Sequence, residues 1–378
     1  MINANRILIV IAVITVSAQA CRKSTDGTLF AEVSSNAVVG PGPSQPQPGS
    51  TIIKFKAYAQ LSLDRKYVVA VAAGNKILFA GGMIDTGWGI VGFVPQSRVD
   101  IFDVVTLTRT TAELSQPRWN VGAAAVGNKI YFAGGYTAYE MGSNRVDIYD
   151  VSANTWSTAT LSQARADVAV SGAKNKVIFA GGKGETVPEY LSSVIDILNL
   201  SNNSWTTGSF ASNRGPVAAS AGNIIAIAGY NSSGNSNARI HDISSNVWSS
   251  EPLYFNSNPS KIIAAGAAGK IIFGATGGPS TSPPLIRILN TSNSQWSQQQ
   301  LTGIRKFSAS CATGNYAFIL NRAAGYLSPP LDLIDIYNAS LDKWYQQKLK
   351  LPGHTCASTG TTLMVKGDGA TVQAYTIY

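Results

Sequence analysis

The sequence predicts an all-β chain built from seven repeated four-stranded units, and three observations carry that reading. The 378 residues include 36 glycines and are 45% hydrophobic but only 13% charged, a composition suited to short strands and tight turns. One phrase occurs three times: "KILFAGGMI" at 76–84, "KIYFAGGYT" at 129–137 and "KVIFAGGKG" at 176–184. The turn before each apolar run recurs at Asn75, Asn128, Asn175, Asn223, Gly269, Asn315 and Thr361, with spacings of 53, 47, 48, 46, 46 and 46 residues. A fixed period of this size marks a repeat architecture.

Each unit reads as four strands. Glycine precedes asparagine at four of the seven turns, which suits a tight hairpin with positive φ between the first two strands. A third strand with period-2 alternation follows a loop of variable length: "RVDIFD" (98–103), "RVDIYD" (145–150), "VIDILN" (194–199), "ARIHD" (238–242), "IRILN" (286–290) and "LIDIYN" (333–338). Six residues beyond it a tryptophan starts the fourth strand, at Trp156, Trp205, Trp248, Trp296 and Trp344; the first unit has Arg109 instead. These tryptophans are expected in the core. Units open near residues 65, 118, 165, 214, 261, 305 and 354, at Arg65, Arg118, Arg165, Arg214, Lys261, Arg305 and His354.

The double glycine after the second strand, the "VDIYD" strand, the spaced tryptophan and the opening arginine together resemble the kelch repeat. That resemblance covers residues 51–378, is strongest in the first three units, and implies a β-propeller. The seventh unit, "HTCASTG", "TLMVKGD" and "TVQAYTIY", has three strands only. "TIIKFKAYAQLSLDR" (51–65) is a fourth strand without a blade, ending in the same Leu-x-x-x-Arg pattern as "LSQPR" and "LSQAR". The expected fold is therefore a seven-bladed kelch-type propeller whose last blade is closed by the amino-terminal strand, which removes an open sheet edge.

Ahead of the propeller, Arg6, the ten-residue apolar run Ile7–Val16 and Ala18-Gln19-Ala20 read as an export signal over residues 1–20, too short to cross a bilayer. Cys21 follows the cut. The segment resembles a bacterial lipoprotein signal, which implies lipidation of Cys21, although Ala18 stands where such signals usually carry leucine. An ordinary secretory cut at the same bond is the alternative. Residues 21–50 form a Pro/Gly/Ser-rich spacer containing "GPGPSQPQPGS" (40–50), which cannot build a core. The expected location is the bacterial cell envelope, at the outer membrane or cell surface if lipidated, otherwise periplasmic or secreted.

The net charge of +9 has no dense Lys/Arg block behind it, so no nucleic-acid partner is expected, and the chain is expected to be a monomer held to a membrane through a lipid alone. Antiparallel order places the second-to-third loops and the unit openings on one face, and long loops on a rigid scaffold are where binding groups sit. The expected ligand residues on that mouth are Arg65, Arg118, Arg165, Arg214 and Arg305 with Trp88, Tyr136, Tyr139, Tyr190 and Tyr230. Guanidinium forks pair with carboxylates, and flat rings cover sugar faces, which suits an acidic glycan or an acidic envelope protein. The competing reading gives most of the basic ring a junction role, bound to backbone carbonyls or a neighbouring aspartate, leaving two or three members for a ligand.

Kelch propellers include copper oxidases, sugar mutarotases and pure binding modules, so the resemblance does not choose a function. Copper chemistry of the galactose-oxidase kind needs two histidine ligands and a tyrosine cross-linked to cysteine; this chain has only His241 and His354, the first inside a strand, so neither a metal nor another cofactor is expected. A binding module is the expected function. A sialic-acid-type mutarotase is the alternative, with Glu140, Glu185 and Glu189 as loop carboxylates, but no spacing singles out a catalytic residue. Cys311 and Cys356 fall in the first strands of adjacent units; facing sheets lie about 10 Å apart, so two separate thiols are favoured over a disulfide.

Overall fold

The structure is a computed structural model that describes residues 51–87, 92–138, 141–184, 191–210, 214–231, 235–255, 259–277, 283–303, 306–322 and 332–378. Residues 1–50, which hold the expected export signal, Cys21 and the spacer, lie outside the described residues.

Seven four-stranded antiparallel sheets form the propeller, with no helix among the described residues. Each unit builds one blade in chain order. In the second blade, Gly122–Val126, Lys129–Ala133, Ser143–Asp150 and Thr155–Arg165 pair in sequence, Ile148 lying opposite both Tyr131 and Ser157. The first strand of every blade lies against the first strand of the next, and Thr355–Ser358 of the seventh lies against Val69–Ala73 of the first. The seventh sheet runs Ile53–Gln60, Thr371–Ile377, Thr362–Lys366, Thr355–Ser358. Its amino-terminal strand pairs in register from Ile53 opposite Ile377 to Gln60 opposite Thr371, so closure is as expected from the strand count.

The core is divided among the seven interfaces between blades. Seven buried apolar clusters occur, each drawing on two neighbouring sheets; one joins Ile77 and Phe79 of the first blade to Ala357 and Met364 of the seventh. Alternation explains this: each strand sends successive side chains to opposite faces of its blade, and both faces are covered. The tryptophans lie within these seams, Trp156 stacking on Phe132 with centroids 5.9 Å apart and Trp205 on Phe179 at 5.4 Å.

The blades crowd near the axis. A Cβ on Gly266 would lie 1.9 Å from the carbonyl oxygen of Ser220 on the adjacent blade, so only glycine fits there. This convergence corrects the expectation for the cysteines. Cys311 in Lys306–Thr313 and Cys356 in Thr355–Ser358 have Cα atoms 5.9 Å apart and are joined in a disulfide. The spacing of about 10 Å between stacked sheets does not hold between inner strands, where the blades taper together. The bridge staples blade six to blade seven, whose fourth strand comes from the other end of the chain.

Two outcomes follow. In the unreduced, denatured protein Cys311 and Cys356 should resist alkylation and take up two alkyl groups only after reduction; labelling before reduction would contradict the bridge. Closing a loop with a sequence separation of 45 residues is worth about 4 kcal/mol by chain entropy, so Cys356→Ser should lower the denaturation midpoint markedly. Second, Asp103, Asp150 and Asp242 accept backbone N–H bonds in the third-to-fourth turns, and those bonds hold their carboxyls below the ordinary 3.8. Groups with depressed pKa stabilise above the unfolded value and lose that contribution as pH falls. Replacing all three by alanine should lower Tm at pH 7 and flatten its decline below about pH 4; an unchanged acid slope would contradict the assignment.

Candidate functional site

The opening arginines of the first three blades share one arrangement. Arg118 is fully buried; its Nη1 donates to the carbonyls of Gly134 (2.6 Å) and Arg145 (2.8 Å), and its Nη2 pairs with Asp147 in the third strand. The other oxygen of Asp147 accepts the backbone N–H of Ser115 at 2.9 Å. Arg65 and Asp100 repeat this with Gly81, Arg98 and Ser62, and Arg165 and Asp196 with Gly181, Val194 and Ser162. The pattern Leu-Ser-x-x-Arg is thereby explained: leucine enters the core, the serine N–H and the arginine fork hold one carboxylate, and that carboxylate belongs to the blade being opened. Burial pushes the guanidinium of Arg118 down to about 10 against the opposing pull of Asp147, and lowers Arg65 and Arg165 in the same way.

The double glycine completes the clamp. Gly134 and Gly135 have φ of 63° and 100°, and Cβ atoms there would lie 2.4 Å from the Arg165 carbonyl and 2.8 Å from the Trp119 carbonyl. The Gly135 N–H donates to the Arg165 carbonyl at 3.0 Å, tying one blade's glycines to the next blade's arginine.

Arg65, Arg118 and Arg165, expected among the ligand-binding residues, are therefore at most 1% exposed and committed to internal partners. Their role is the junction one, because an aspartate stands within reach in the third strand. Blades four and five break the rule. Where the first three have Asp100, Asp147 and Asp196, these have Arg239 and Arg287. Each lies over its own blade's tryptophan, Arg239 5.3 Å from the Trp248 centroid and Arg287 5.7 Å from Trp296. With a cation in the aspartate's place, Arg214 has no clamp to enter. It stays exposed, and no carboxylate pairs with it among the described residues. The seventh blade has Gln373 at this position, which bonds both the N–H and the carbonyl of Leu351, a neutral version of the same latch.

Arg214 lines a cavity of about 460 Å³ on the unit-opening face, together with Asn120, Asp167, Lys183, Tyr230 and Lys261. Arg214 and Tyr230 are paired across the first two strands of blade four, with the tyrosine ring against Gly215. Lys183 follows the double glycine of blade three, and its bridge to Ala166 sets its Nζ 3.8 Å from Asp167. Lys261 donates to the Ser308 carbonyl. Three cations thus face one carboxylate, and the cavity suits an anion.

Of the expected ligand residues, the structure brings Arg214 and Tyr230 together in this cavity and places Tyr136 on the same face, against Trp119. Trp88, Tyr139, Tyr190 and Arg305 lie outside the described residues, as do Glu140, Glu185 and Glu189. Asp167, Lys183 and Trp119 were not singled out by the sequence. His241 is buried against Trp248 at 4.4 Å, where burial lowers its pKa, and His354 is exposed and bonds Asp368 at 2.7 Å. No grouping of three or more metal-ligating side chains occurs among the described residues.

Residues 117–160 match the family model for the kelch motif. They span the Arg118 clamp, the Gly134-Gly135 pair and Trp156, and with the seven-bladed ring they make this chain a kelch-repeat β-propeller protein. A solved structure titled "Structure of YjhT" is similar in fold, with a TM-score of 0.55 and 13% identity over 76% of this chain and 99% of that one. No curated protein matches the chain.

Removing one partner from a buried ion pair costs about 3–5 kcal/mol, whereas an exposed substitution usually changes stability by less than about 0.5 kcal/mol. Urea denaturation should therefore show a large loss for Arg118→Ala and almost none for Arg214→Ala. Equal losses would contradict the division of the basic ring.

Proposed function

We propose that this protein is an exported kelch-type binding module of the bacterial cell envelope, anchored through Cys21, that takes an acidic glycan or acidic protein at the mouth of its propeller. The observation that carries the reading is Arg214, exposed on the wall of a cavity that also holds Lys183 and Lys261. A guanidinium and two ammonium groups converging on a concave surface attract carboxylates more strongly than dispersed surface lysines do. Export is supported by the apolar run Ile7–Val16 and its small-residue cut, and by the Cys311–Cys356 disulfide, which suits an oxidising compartment. Anchoring rests on Cys21 and its following spacer.

One observation favours a second reading, a sugar-modifying enzyme of the mutarotase kind. Asp167 lines the same cavity, and its carboxylate would serve as the general acid or base beside a sugar bound there.

Titration of the purified protein with acidic oligosaccharides and acidic proteins should reveal binding that weakens with salt and falls at least about tenfold in Lys183→Ala/Arg214→Ala, a loss of about 1.4 kcal/mol. Binding unchanged in that variant would move the ligand elsewhere. For the second reading, Asp167→Asn should abolish interconversion of an acidic sugar's anomers while leaving its binding in place; no turnover by the unaltered protein would leave the binding module alone.

A further inference from the structure

The mouth carries a second feature that the basic cavity does not use. Tyr67, Trp119 and Tyr136 form a continuous run of rings, with centroids 5.4 Å apart between Tyr67 and Trp119 and 4.6 Å between Trp119 and Tyr136. None of the three belongs to the buried clusters between blades. Tyr67 is 56% exposed, and Trp119 and Tyr136 are half-buried. The backbone sets their spacing: Trp119 and Tyr136 exchange N–H to carbonyl bonds of 3.0 and 2.8 Å, and Tyr67 sits at φ 54°, the left-handed conformation that Asn120 (φ 48°) and Asp167 (φ 54°) adopt at the same place in blades two and three. Exposed, pre-arranged aromatics suit a site that engages a ligand.

Their position in the repeat sharpens this. Corresponding places in blade three hold Ala166, Asp167 and Lys183, none of them aromatic, so the ring run is confined to blades one and two. Trp119 directly precedes Asn120 and Val121, which line the basic cavity, so the aromatic run leads into it. An acidic peptide has no repeated flat apolar face to lay on such a run. A pyranose chain has one on each ring.

We propose that Tyr67, Trp119 and Tyr136 are a stacking platform for pyranose rings, and that the ligand of the mouth is a carboxylate-bearing polysaccharide. This rests on the reading of the basic cavity as an anion site and selects the glycan over the protein. The platform holds successive sugar rings while Arg214, Lys183 and Lys261 receive a carboxylate.

The test is calorimetric titration of the full chain with three probes: oligogalacturonate, which has pyranose rings and carboxylates; poly-L-glutamate, which has carboxylates alone; and cellohexaose, which has rings alone. Oligogalacturonate should bind tightest. Trp119→Ala should weaken it about tenfold, Trp119→Phe should restore most of the loss, and neither should alter poly-L-glutamate binding. Tyr67→Ala, at an exposed position that folding does not require, should weaken oligogalacturonate in the same direction and keeps the test open if Trp119→Ala misfolds. Equal binding of oligogalacturonate and poly-L-glutamate, lost in Arg214→Ala but unmoved in the ring variants, would overturn the platform and leave the anion site standing. No binding of any probe would overturn both.

Discussion

A buried carboxylate held between an arginine fork and a backbone N–H organises this propeller. Asp100, Asp147 and Asp196 each fasten the incoming connection from the previous blade to the third strand of their own. The arginine then reaches the carbonyl of the first glycine of the pair, whose φ and lack of a Cβ let the next blade's opening approach. Four separate sequence signals, the Leu-Ser-x-x-Arg opening, the double glycine, the third-strand aspartate and the register between them, thus describe one joint. Buried ion pairs add little net stability over apolar replacements. What this joint supplies is orientation, because a fork and a carboxylate fit in one geometry only.

The proposed binding site then depends on where the joint is missing. Blades four and five carry arginine at the aspartate position, and the displaced cations stack on tryptophan. The opening basic residues there are left at the mouth, where Arg214 and Lys261 line the cavity. The ring is thus asymmetric at its mouth, with an aromatic sector over blades one and two and a cationic sector over blades three to five. Neither sector requires long loops: Tyr67, Trp119, Tyr136, Asp167 and Lys183 lie within two residues of a joint or of a double glycine, and Arg214 and Lys261 open their own blades.

The architecture was legible in the sequence because each blade repeats the same chemistry at a fixed period. Strand count alone yields the closure, and Ile53–Gln60 pairs as that count requires. The site was legible in part. Alignment of the openings identifies Arg214, but it ranks Arg65, Arg118 and Arg165 equally, because the deciding residue lies in a different strand some 25 to 35 positions downstream. Comparing the third-strand positions, Asp100, Asp147 and Asp196 against Arg239 and Arg287, was the signal that would have separated them. Trp119 escaped notice because it adjoins the arginine rather than sitting in a loop. The disulfide escaped because sheet-to-sheet spacing is an average over a blade, and Cys311 and Cys356 sit at its narrow inner edge.

The central claim is that the identity of one third-strand residue decides whether an opening arginine is buried in a joint or presented at the mouth. Arg239→Asp supplies the missing carboxylate to blade four. Arginine-selective modification by phenylglyoxal, mapped by mass spectrometry, should label Arg214 in the unaltered protein and spare it in this variant, as it spares Arg118 and Arg165 in both. Labelling of Arg214 at an unchanged rate in Arg239→Asp would contradict the account.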